Sequence, residues 1–564
     1  MLKEERGTVI TPRGGRTTVA LVYPNTYYVG MSSLGFQTVY RIINGRKDAL
    51  AERVFLPDEA ERDAFRKNRT PLFAIESQTP VSNFDIVAFS VSFENDYANV
   101  AEALRLSGMP PMSRDRGDGY PLVILGGICT FFNPEPIADF FDIVVIGEAE
   151  DVLIELLDAY EEHKHLPRNG LLTKLSPIPG VYIPSFYEPS YSSDGTLESF
   201  RPAGDGPDKI ARRYVKDIDA NPAHSMILTP NTEFSNMFMV EVSRGCGRHC
   251  RFCMAGYVYR PPRTVGLKNV VAMIADAKEL TDKIGLVGAA VSDYPAIAEL
   301  AGRLKDMDVN FSASSLRADS LTTELVSLVA KGNRTVAIAP EAGSERLRAV
   351  INKNISEAQI LDAVGMLVDG GILNIKLYFM VGLPTETDED IDAIVTLAKK
   401  AGETQLEAAR KKGRMGRLTL SVNCFIPKPW TPFQWEPMDD IDSLNKKIKY
   451  IKAQLKGVSN MDVINDAPKH AYIQGVLSRG DRRLSKVVLA ADENGGNWPK
   501  AFASEGLSME FYAGRVREKD ELFPWDFIDT KIKREYLWKE NEKSKTGVLS
   551  PRCNTKKCKT CGVC

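Results

Sequence analysis

Hydrophobic and polar residues alternate along the first 195 positions in a pattern that predicts strands followed by helices. Apolar runs of the length expected for buried strands occupy 18–23, 85–92, 122–127 and 143–147, and helical stretches follow near 34–43 and 98–106. Strands and helices that alternate at this spacing form a parallel, doubly wound sheet, whose ligands bind beyond the carboxyl ends of the strands. We therefore expect an α/β domain of the Rossmann type in residues 1–195.

The alternation of strand and helix recurs six times between residues 236 and 440. The predicted strands lie at 237–243, 285–292, 309–314, 335–340, 374–382 and 418–425, and the predicted helices at 270–280, 322–329, 356–368 and 388–401. A closed barrel of this kind needs eight units. Six units predict an open (β/α)6 partial TIM barrel with its site at the carboxyl ends of the strands.

The remaining segments complete a division into three parts. Residues 196–235 are rich in proline and glycine, which predicts a linker, and residues 441–564 form a C-terminal domain that is cysteine-rich at its end and α/β or α in class. A chain of 564 residues is too long for one hydrophobic core, and roughly three domains are expected.

Composition and charge exclude several classes of protein. Charged residues make up 26% and hydrophobic residues 43% of the chain, as in ordinary globular proteins, and the net charge of -2 argues neither for nor against a polyanionic partner. We expect no secretory signal, and no run of about 18 apolar residues could span a membrane. Seven of the nine cysteines fall into two short clusters, which indicates metal ligands in a reducing cytoplasm.

The first cysteine cluster contains Cys246, Cys250 and Cys253 in the spacing C-x3-C-x2-C, directly after a predicted strand. Thiolates bind iron–sulfur clusters, and a cubane cluster takes four ligands. Three thiolates would leave one iron open for another molecule. The alternative is a zinc knuckle or buried structural cysteines, but zinc sites pair two C-x2-C halves or add histidines at fixed offsets, and His249 fits neither scheme.

This spacing, with the aromatic Phe252 before the last cysteine, resembles the signature of the radical S-adenosylmethionine (SAM) superfamily. The resemblance implies a [4Fe-4S] cluster whose open iron binds the amino and carboxylate groups of SAM. An electron from the cluster would then split the sulfonium and release a 5'-deoxyadenosyl radical. It also implies a (β/α)6 partial barrel and an electron donor such as flavodoxin or ferredoxin.

Later segments follow the order in which that superfamily places its SAM contacts. Two of them end the second and third predicted barrel strands. A third is a Glu-x-Gly-Ser segment that resembles the one in the methylthiotransferase and cobalamin-domain branches. The last is a Gly-Leu-Pro segment in which Thr385 stands where the superfamily has a second glycine. The candidate SAM contacts are Ser292, Asp293, Ser314, Arg317, Glu341 and Lys376. For the four charged candidates, the alternative to a SAM contact is an ion pair that caps the barrel mouth.

Small residues after the N-terminal strands resemble the later landmarks of cobalamin-binding domains. They are Ser90 with Ser92, Gly126 with Gly127, and Gly147 with Glu148. The first landmark of domains that bind cobalt through a protein histidine, Asp-x-His-x-x-Gly, is missing, because no histidine precedes His163. Cobalamin bound without such a ligand and a domain that binds no cobalamin both remain open.

The second cysteine cluster ends the chain. Cys553, Cys558, Cys561 and Cys564 are four thiols within twelve residues, which predicts either a second iron–sulfur cluster or a four-cysteine zinc site. The C-x2-C-x2-C spacing is tighter than two zinc-knuckle halves and favours iron–sulfur. We expect this tail to fold back toward the barrel mouth.

These features predict a radical SAM enzyme that functionalises an unactivated C–H bond, by methyl transfer if cobalamin binds. The first alternative is RNA or protein modification without cobalamin, because basic residues gather near the C-terminus. They are Lys531, Lys533, Arg534, Lys539, Lys543, Lys545, Arg552, Lys556, Lys557 and Lys559. A second alternative is a non-catalytic redox sensor. No residue names the substrate.

Overall fold

A six-stranded sheet forms the centre of the first part of the chain. In the computed structural model, which describes residues 1–203, 206–313 and 316–564, the strand order is β2-β1-β3-β4-β5-β6. Strands β1 to β5 are parallel, and β6 pairs antiparallel with β5. The strands are β1 Thr17–Tyr23, β2 Ala49–Phe55, β3 Ile86–Ser90, β4 Leu122–Gly126, β5 Ile143–Val145 and β6 Val181–Tyr182. The expected parallel, doubly wound sheet is confirmed.

Helices cover both faces of this sheet. Successive residues of β1 enter different hydrophobic cores, because Val19 and Leu21 pack into one and Ala20 and Val22 into the other. A sheet buried on both faces reads as a continuous apolar run, which is why the sequence pattern is clear here. The helices are α1 Tyr27–Gly30, α2 Leu34–Asn44, α3 Glu59–Asn68, α4 Tyr97–Leu106, α5 Ala149–His163 and α6 Arg168–Leu175.

Strand β2 escapes sequence analysis because two charged residues interrupt its apolar run. All seven of its residues are buried. The Arg53 guanidinium lies 2.6 Å from both Glu5 and Glu76, and Arg13 lies 3.1 Å from Glu52. Buried charges are tolerated when they are paired in this way. The partners come from distant parts of the chain, so local sequence cannot reveal them.

The segment expected to be a linker contains regular structure. Strands β7 Tyr187–Tyr191 and β8 Leu197–Pro202 form an antiparallel hairpin, and β9 Ile210–Ala211 pairs with β19 Ile528–Asp529 from the C-terminal part. Arg213 bridges to Gly147 at the end of the first sheet. Backbone pairing thus ties this segment to both the first and the last part of the chain.

Parallel strands in chain order build the second part. One sheet contains β10 Phe238–Glu241, β13 Lys283–Val287 and β14 Asn310–Ala313; the other contains β15 Thr335–Glu341, β16 Asn374–Val381, β17 Leu418–Cys424 and β18 Met461–Ile464. A bridge between Leu316 and Ile338 connects the two sheets. The strand–helix repeat therefore continues beyond residue 440 to a seventh parallel strand. A short antiparallel pair, β11 Ser243–Arg244 with β12 Arg263–Thr264, flanks the first cysteine cluster.

One face of the second sheet is half-exposed and polar. Along β16 the side chains alternate between buried and partly exposed positions. Lys376 on the partly exposed face stands opposite Ala337 and Thr419, and Tyr378 stands opposite Ser421. Polar residues on the partly exposed face of such parallel strands indicate the lining of a binding site.

Helices complete the second and third parts. They are α7 Leu267–Ala277, α8 Ile297–Asp306, α9 Thr323–Gly332, α10 Glu345–Val350, α11 Glu357–Asp369, α12 Asp388–Lys412, α13 Ile441–Leu455, α14 Pro468–Arg479, α15 Leu484–Glu493, α16 Trp498–Ser504, α17 Met509–Ala513 and α18 Arg534–Lys545. Within the described ranges, none of the helices has both the length and the apolar character that a membrane crossing requires.

Candidate cluster-binding site and the adjoining cavity

The first cysteine cluster lies on a loop that we call the cluster loop, residues 245–253, between β11 and β12. Gly245 begins the loop with φ +81, and a Cβ there would lie 2.6 Å from the carbonyl oxygen of Tyr259. Only glycine accommodates this turn. The Cys246 N–H donates to the carbonyl of Ala255 at 3.1 Å, which closes the loop.

Two buried side chains hold the cluster loop against helix α10 and the C-terminal segment. The Arg251 guanidinium donates to the carbonyls of Val350 at 2.9 Å and Val548 at 2.6 Å, and it lies 3.2 Å from the Glu540 carboxylate. The Asn352 amide donates to the carbonyl of His249 at 3.1 Å. Hydrogen bonds from side chain to backbone at both points fix the path of the loop.

The three thiols of the cluster loop lie close together in a partly buried environment. Cys250 is buried, while Cys246 and Cys253 are partly exposed. Burial, together with the nearby thiols of Cys250 and Cys246, raises the pKa of Cys253 to about 12. Thiols with raised pKa values are costly to ionise unless a metal or cation compensates the charge.

Ser292 and Asp293, expected at the SAM amino group, lie beyond the carboxyl end of β13 beside the cluster loop. Asp293 accepts from Arg248 of the loop at 2.6 Å, and the charge of Asp293 acts on the pKa of Cys246. The Ser292 hydroxyl accepts from the backbone N–H of Arg317 at 3.2 Å. Ser314 lies outside the described residues.

Arg317 and Glu341 each have an ion-pair partner close to the thiols. Arg317 pairs with Asp319 at 2.9 Å, and Arg248 also reaches Asp319 at 2.6 Å. Glu341 pairs with Lys353 at 3.1 Å. The charge of Lys353 acts on Cys253 and that of Arg317 on Cys246. Asp293, Arg317 and Glu341 thus lie near the cluster loop, and each is engaged in an ion pair. Such ion pairs are the alternative role that the sequence analysis gave for these residues.

Lys376 occupies a different place from the other candidates. It projects from the polar face of β16, with its ammonium 4.8 Å from the ring centroid of Tyr378. No ion pair is found for it among the described residues. A half-exposed lysine on this face is available to an anionic ligand group.

A cavity of about 450 Å³ lies between the first sheet and the cluster loop. Ser90, Gly127 and Gly147, at the carboxyl ends of three parallel strands, line one side, and Gly245 and Tyr259 line the other. This is the edge at which ligands of doubly wound sheets bind. Ser90 and Gly127 are therefore placed as expected for a ligand site, whereas Gly126 is not part of the lining.

The glycines at this edge also have a reason within the chain itself. A Cβ at Gly127, which has φ +102, would lie 2.4 Å from the Val91 carbonyl oxygen, and one at Gly147, which has φ +117, would lie 2.2 Å from that of Arg213. These glycines are required for backbone crossings. Their presence alone is therefore no evidence of cobalamin.

A network of charges lies at the mouth of the cavity. Arg244 lies 2.7 Å from Glu241 and 2.8 Å from both Glu148 and Glu150, and Arg263 lies 2.7 Å from Glu148. Burial alone would raise the pKa of Glu148, but the hydrogen bond from Arg263 and the charge of Arg244 bring it below its ordinary value. The network ties the first sheet to the β11–β12 pair.

The C-terminal tail lies against the cluster loop. The Cys553 N–H donates to the carbonyl of Gly247 at 2.8 Å, and the Ser550 N–H donates to Asn352 at 2.8 Å. The tail therefore folds back onto the body of the protein, as expected, and reaches the cluster loop. Sequence analysis missed Arg251, Asp319 and Asn352, although an arginine between two ligand cysteines was a usable signal.

The residues of the cluster loop fit a [4Fe-4S] cluster. Soft thiolates are the ligands that iron–sulfur clusters take, and three of them on one loop leave an open position. No three His, Cys, Asp or Glu side chains in the described parts of the chain surround a single ion position. A cubane differs from a mononuclear site because each of its ligands binds a different iron.

Comparison with known proteins identifies two domain families. Residues 35–184 match the family described as "Radical SAM proteins, N-terminal", and residues 240–398 match the "Radical SAM superfamily". An uncharacterized protein of Methanocaldococcus jannaschii is 32% identical over 89% of this chain and 97% of its own length.

More distant relatives and a solved structure match parts of the chain. An uncharacterized methyltransferase of Pyrococcus horikoshii is 26% identical over 49% of this chain and 58% of its own length. A tRNA-2-methylthio-N(6)-dimethylallyladenosine synthase of Methylococcus capsulatus is 24% identical over 49% of this chain and 60% of its own length. The cobalamin-dependent SAM radical enzyme OxsB superposes with a TM-score of 0.44 at 15% identity, covering 68% of this chain and 52% of that one.

The near full-length relative and the two domain matches agree with the cysteine spacing of the cluster loop and with the parallel sheets that carry it. Members of the superfamily are enzymes that use a [4Fe-4S] cluster and SAM. The chain belongs to the radical SAM superfamily.

Proposed function

We propose that this protein is a radical SAM methyltransferase that acts on an unactivated C–H bond, with cobalamin in the cavity between the first sheet and the cluster loop. The observation that carries the proposal is the position of this cavity, which is lined on one side by Ser90 and Gly127 and on the other by Gly245 and Tyr259. A cofactor there would lie next to the cluster loop.

The residues of the cavity fit a broad, flat ligand. Small side chains at the strand ends let a ring approach the backbone. None of the described lining residues is a histidine, so cobalt would have no imidazole ligand from the protein at this cavity. When bound, the [4Fe-4S] cluster and SAM would supply the radical that removes hydrogen, and cobalamin would supply the methyl group.

The chain itself would bind and orient the reactants. Cys246, Cys250 and Cys253 would hold the cluster. Asp293 and Arg317 beside them would exchange their present ion-pair partners for the ammonium and carboxylate of SAM, since both already lie within electrostatic reach of Cys246. Such pre-positioned charges stabilise a zwitterionic ligand at little cost in reorganisation.

The polar face of β16 would bind SAM through Lys376 and the substrate through the groups beside it. Lys376 and Tyr378 project from it, with Thr419 and Ser421 opposite them on β17. An ammonium, a phenol and two hydroxyl groups recognise a polar or anionic molecule. We therefore expect the substrate on the inner face of the barrel strands.

The test uses anaerobic protein with its cluster reconstituted, SAM and dithionite, with and without cobalamin, and quantifies 5'-deoxyadenosine and S-adenosylhomocysteine. Formation of both products, with S-adenosylhomocysteine dependent on cobalamin, is the expected result. Deoxyadenosine alone would overturn the methyltransferase proposal and leave the radical enzyme. Neither product, from protein with a verified cluster, would overturn both.

A matched pair of variants on helix α5 tests the cavity itself. Ala149→Trp places a bulky ring in the cavity lining, whereas Ala159→Trp places the same ring elsewhere on the helix at a similarly half-buried position. Cobalamin retained after gel filtration, read from its visible absorbance, should fall in the first variant and persist in the second. Equal retention in both would contradict a cobalamin site at this cavity.

RNA modification is the second candidate. Lys556, Lys557 and Lys559 are exposed in the C-terminal tail, and tRNA-modifying enzymes are among the relatives. Replacing the three lysines by glutamine should weaken tRNA binding and reduce the slope of log K against log salt by about 2 to 3 if each contacts a phosphate. An unchanged slope would remove this candidate.

A further inference from the structure

The end of the chain is held along the cluster loop by hydrogen bonds at three successive points. Val548 accepts from Arg251 at 2.6 Å, the Ser550 N–H donates to Asn352 at 2.8 Å, and the Cys553 N–H donates to Gly247 at 2.8 Å. Gly247 lies between the ligand candidates Cys246 and Cys250. Cys553 is therefore in backbone contact with the loop that would hold the first cluster.

The four thiols of the tail share one region. The Cys558 N–H donates to the Asn554 carbonyl at 2.8 Å, a turn that brings the chain back beside Cys553. Cys561 is buried and its carbonyl accepts from the Lys533 N–H at 2.9 Å. Cys564, by contrast, is exposed. The group thus extends from the buried side of the cluster loop to the protein surface.

Beside these thiols lies a buried cation for which the described residues supply no anionic partner. Arg260 is 1% exposed, and its guanidinium stands 4.7 Å from the ring centroid of Tyr257 and 5.3 Å from that of Tyr536. Its Nε donates to the Gly256 carbonyl at 2.6 Å, but Nη1 has no hydrogen-bond partner among the described residues. No ion pair of the described chain includes Arg260.

A buried, unpaired guanidinium is unfavourable unless negative charge lies nearby. The Tyr536 ring beside Arg260 belongs to the first turn of helix α18, and the Lys533 N–H directly before that helix donates to the Cys561 carbonyl at 2.9 Å, which sets the guanidinium close to the tail thiols. Four thiolates around a metal centre carry net negative charge. A metal-bound tail would therefore supply the counter-charge that Arg260 lacks.

We propose that Cys553, Cys558, Cys561 and Cys564 bind a second iron–sulfur cluster, that Arg260 is its buried counter-charge, and that this cluster delivers electrons to the one on the cluster loop. Iron–sulfur is favoured over zinc because Cys558, Cys561 and Cys564 follow the C-x2-C-x2-C spacing of ferredoxins. Contact with the cluster loop on one side and exposure of Cys564 on the other suit electron transfer, which a zinc site cannot perform.

The electron-transfer step involves no bond formation. A reduced low-potential donor of the ferredoxin or flavodoxin class gives one electron to the tail cluster and is itself oxidised. The tail cluster then returns to its oxidised state as it reduces the cluster on the loop by the same electron, and no proton or leaving group is involved. This relay rests on the proposed function, whereas the tail metal site does not.

Iron analysis separates the two sites. The wild type should contain about eight irons per chain, and a variant with Cys246, Cys250 and Cys253 all replaced by alanine should retain about four, with matching sulfide. Cys564→Ala, at an exposed position that carries little risk to folding, should also lose up to half of the iron. Cys129→Ala, at a cysteine outside both clusters, is the control and should keep the wild-type content.

Three outcomes would overturn the tail cluster. They are zinc instead of iron in the loop triple variant, no metal in that variant while its fold is intact by circular dichroism, or a wild-type iron content in Cys564→Ala together with Cys558→Ala. Failure of the radical chemistry with the tail cluster present would count against the proposed function alone.

The role of Arg260 is tested by the midpoint potential of the tail cluster, measured by redox titration followed by EPR in the loop triple variant. Reduction adds negative charge, so loss of the guanidinium in Arg260→Gln should make the potential more negative, and Arg260→Lys should restore most of it. An unchanged potential in Arg260→Gln, with iron content maintained, would exclude the counter-charge role.

Electron delivery is tested by EPR of the fully reduced wild type. Two paramagnetic clusters that lie close together broaden each other's EPR signals. The spectrum of the wild type should therefore differ from the sum of two spectra, that of the loop triple variant and that of Cys558→Ala, which lacks the tail cluster. A spectrum equal to that sum would overturn the relay while leaving the tail cluster in place.

Discussion

The backbone N–H of Cys553 donates a hydrogen bond to the carbonyl oxygen of Gly247 over 2.8 Å. Gly247 stands between two cysteines of the first cluster motif, and Cys553 is the first cysteine of the second. A Cβ placed on Gly247 would lie 3.4 Å from the Cβ of Cys553. The two cysteine motifs, at distant points of the sequence, therefore meet backbone to backbone.

Replacing Gly245 by alanine should displace the cluster loop. The residue has φ +81 and an added Cβ would lie 2.6 Å from the Tyr259 carbonyl oxygen. We expect a loss of about 1–3 kcal/mol in the free energy of unfolding and reduced iron incorporation. Chemical denaturation and iron analysis provide the measurements. Gly117→Ala is the matched control, because a Cβ there meets nothing within 4 Å; equal effects of the two substitutions would contradict the assignment.

Glu540→Gln should destabilise the junction between the cluster loop and helix α18. Glu540 is 2% exposed and pairs with Arg251, which is 0% exposed, at 3.2 Å. Removing one partner of a buried pair leaves an uncompensated charge and costs about 3–5 kcal/mol. Urea denaturation measures the change. Glu542→Gln, which breaks an exposed pair with Lys545 on the same helix, should cost no more than about 1 kcal/mol, and a comparable loss in both variants would argue against this view.

Asp96→Asn should flatten the pH dependence of stability in mildly acidic solution. Asp96 is 6% exposed, and burial raises its pKa from 3.8 to about 6 although Asn25 and Asn99 donate hydrogen bonds that oppose the rise. The native state therefore binds more protons than the unfolded state between pH 3.8 and about 6, and stability falls as the pH rises through this window.

The raised pKa of Asp96 corresponds to a loss of about 2–3 kcal/mol by pH 7 relative to pH 3.5. Denaturation curves at pH 4, 5, 6 and 7 measure this slope, and the asparagine variant should show less of it than the wild type. Identical slopes for the two proteins would rule out Asp96 as its source.

Lys376→Met should weaken SAM binding without loss of iron. The ammonium lies on the half-exposed face of β16 beside Tyr378. A charge-assisted hydrogen bond contributes about 1.5–3 kcal/mol, so the Kd should rise about 10-fold to 100-fold. Isothermal titration calorimetry on reconstituted protein gives the value. Lys399→Met, at an exposed position of helix α12, is the control and should leave the Kd unchanged. An unchanged Kd for Lys376→Met would contradict a SAM contact at this residue and leave it a role in substrate binding or in structure.

Local patterns predicted most of the regular structure correctly. The apolar runs of β1, β3, β4 and β5 stand out because both faces of the sheet are buried, and the six barrel strands are marked by short apolar stretches between helices. Among the parallel strands of the first six-stranded sheet and the two sheets of the second part, two were missed for different reasons. Strand β2 contains Glu52 and Arg53, whose partners are distant in sequence. Strand β18 is only four residues long and partly exposed, so it lacks a clear apolar run.

By itself the sequence determined the superfamily, the three thiols of the cluster loop and the four thiols of the tail, because ligand spacing and hydrophobic periodicity are local properties of the chain. Only the tertiary structure decided that the tail lies on the cluster loop, that Arg260 is buried near the tail thiols with no carboxylate partner in the described part of the chain, and that a cavity separates Gly127 from Tyr259. These relationships depend on long-range packing and on the neutralisation of buried charge, which no short stretch of sequence records.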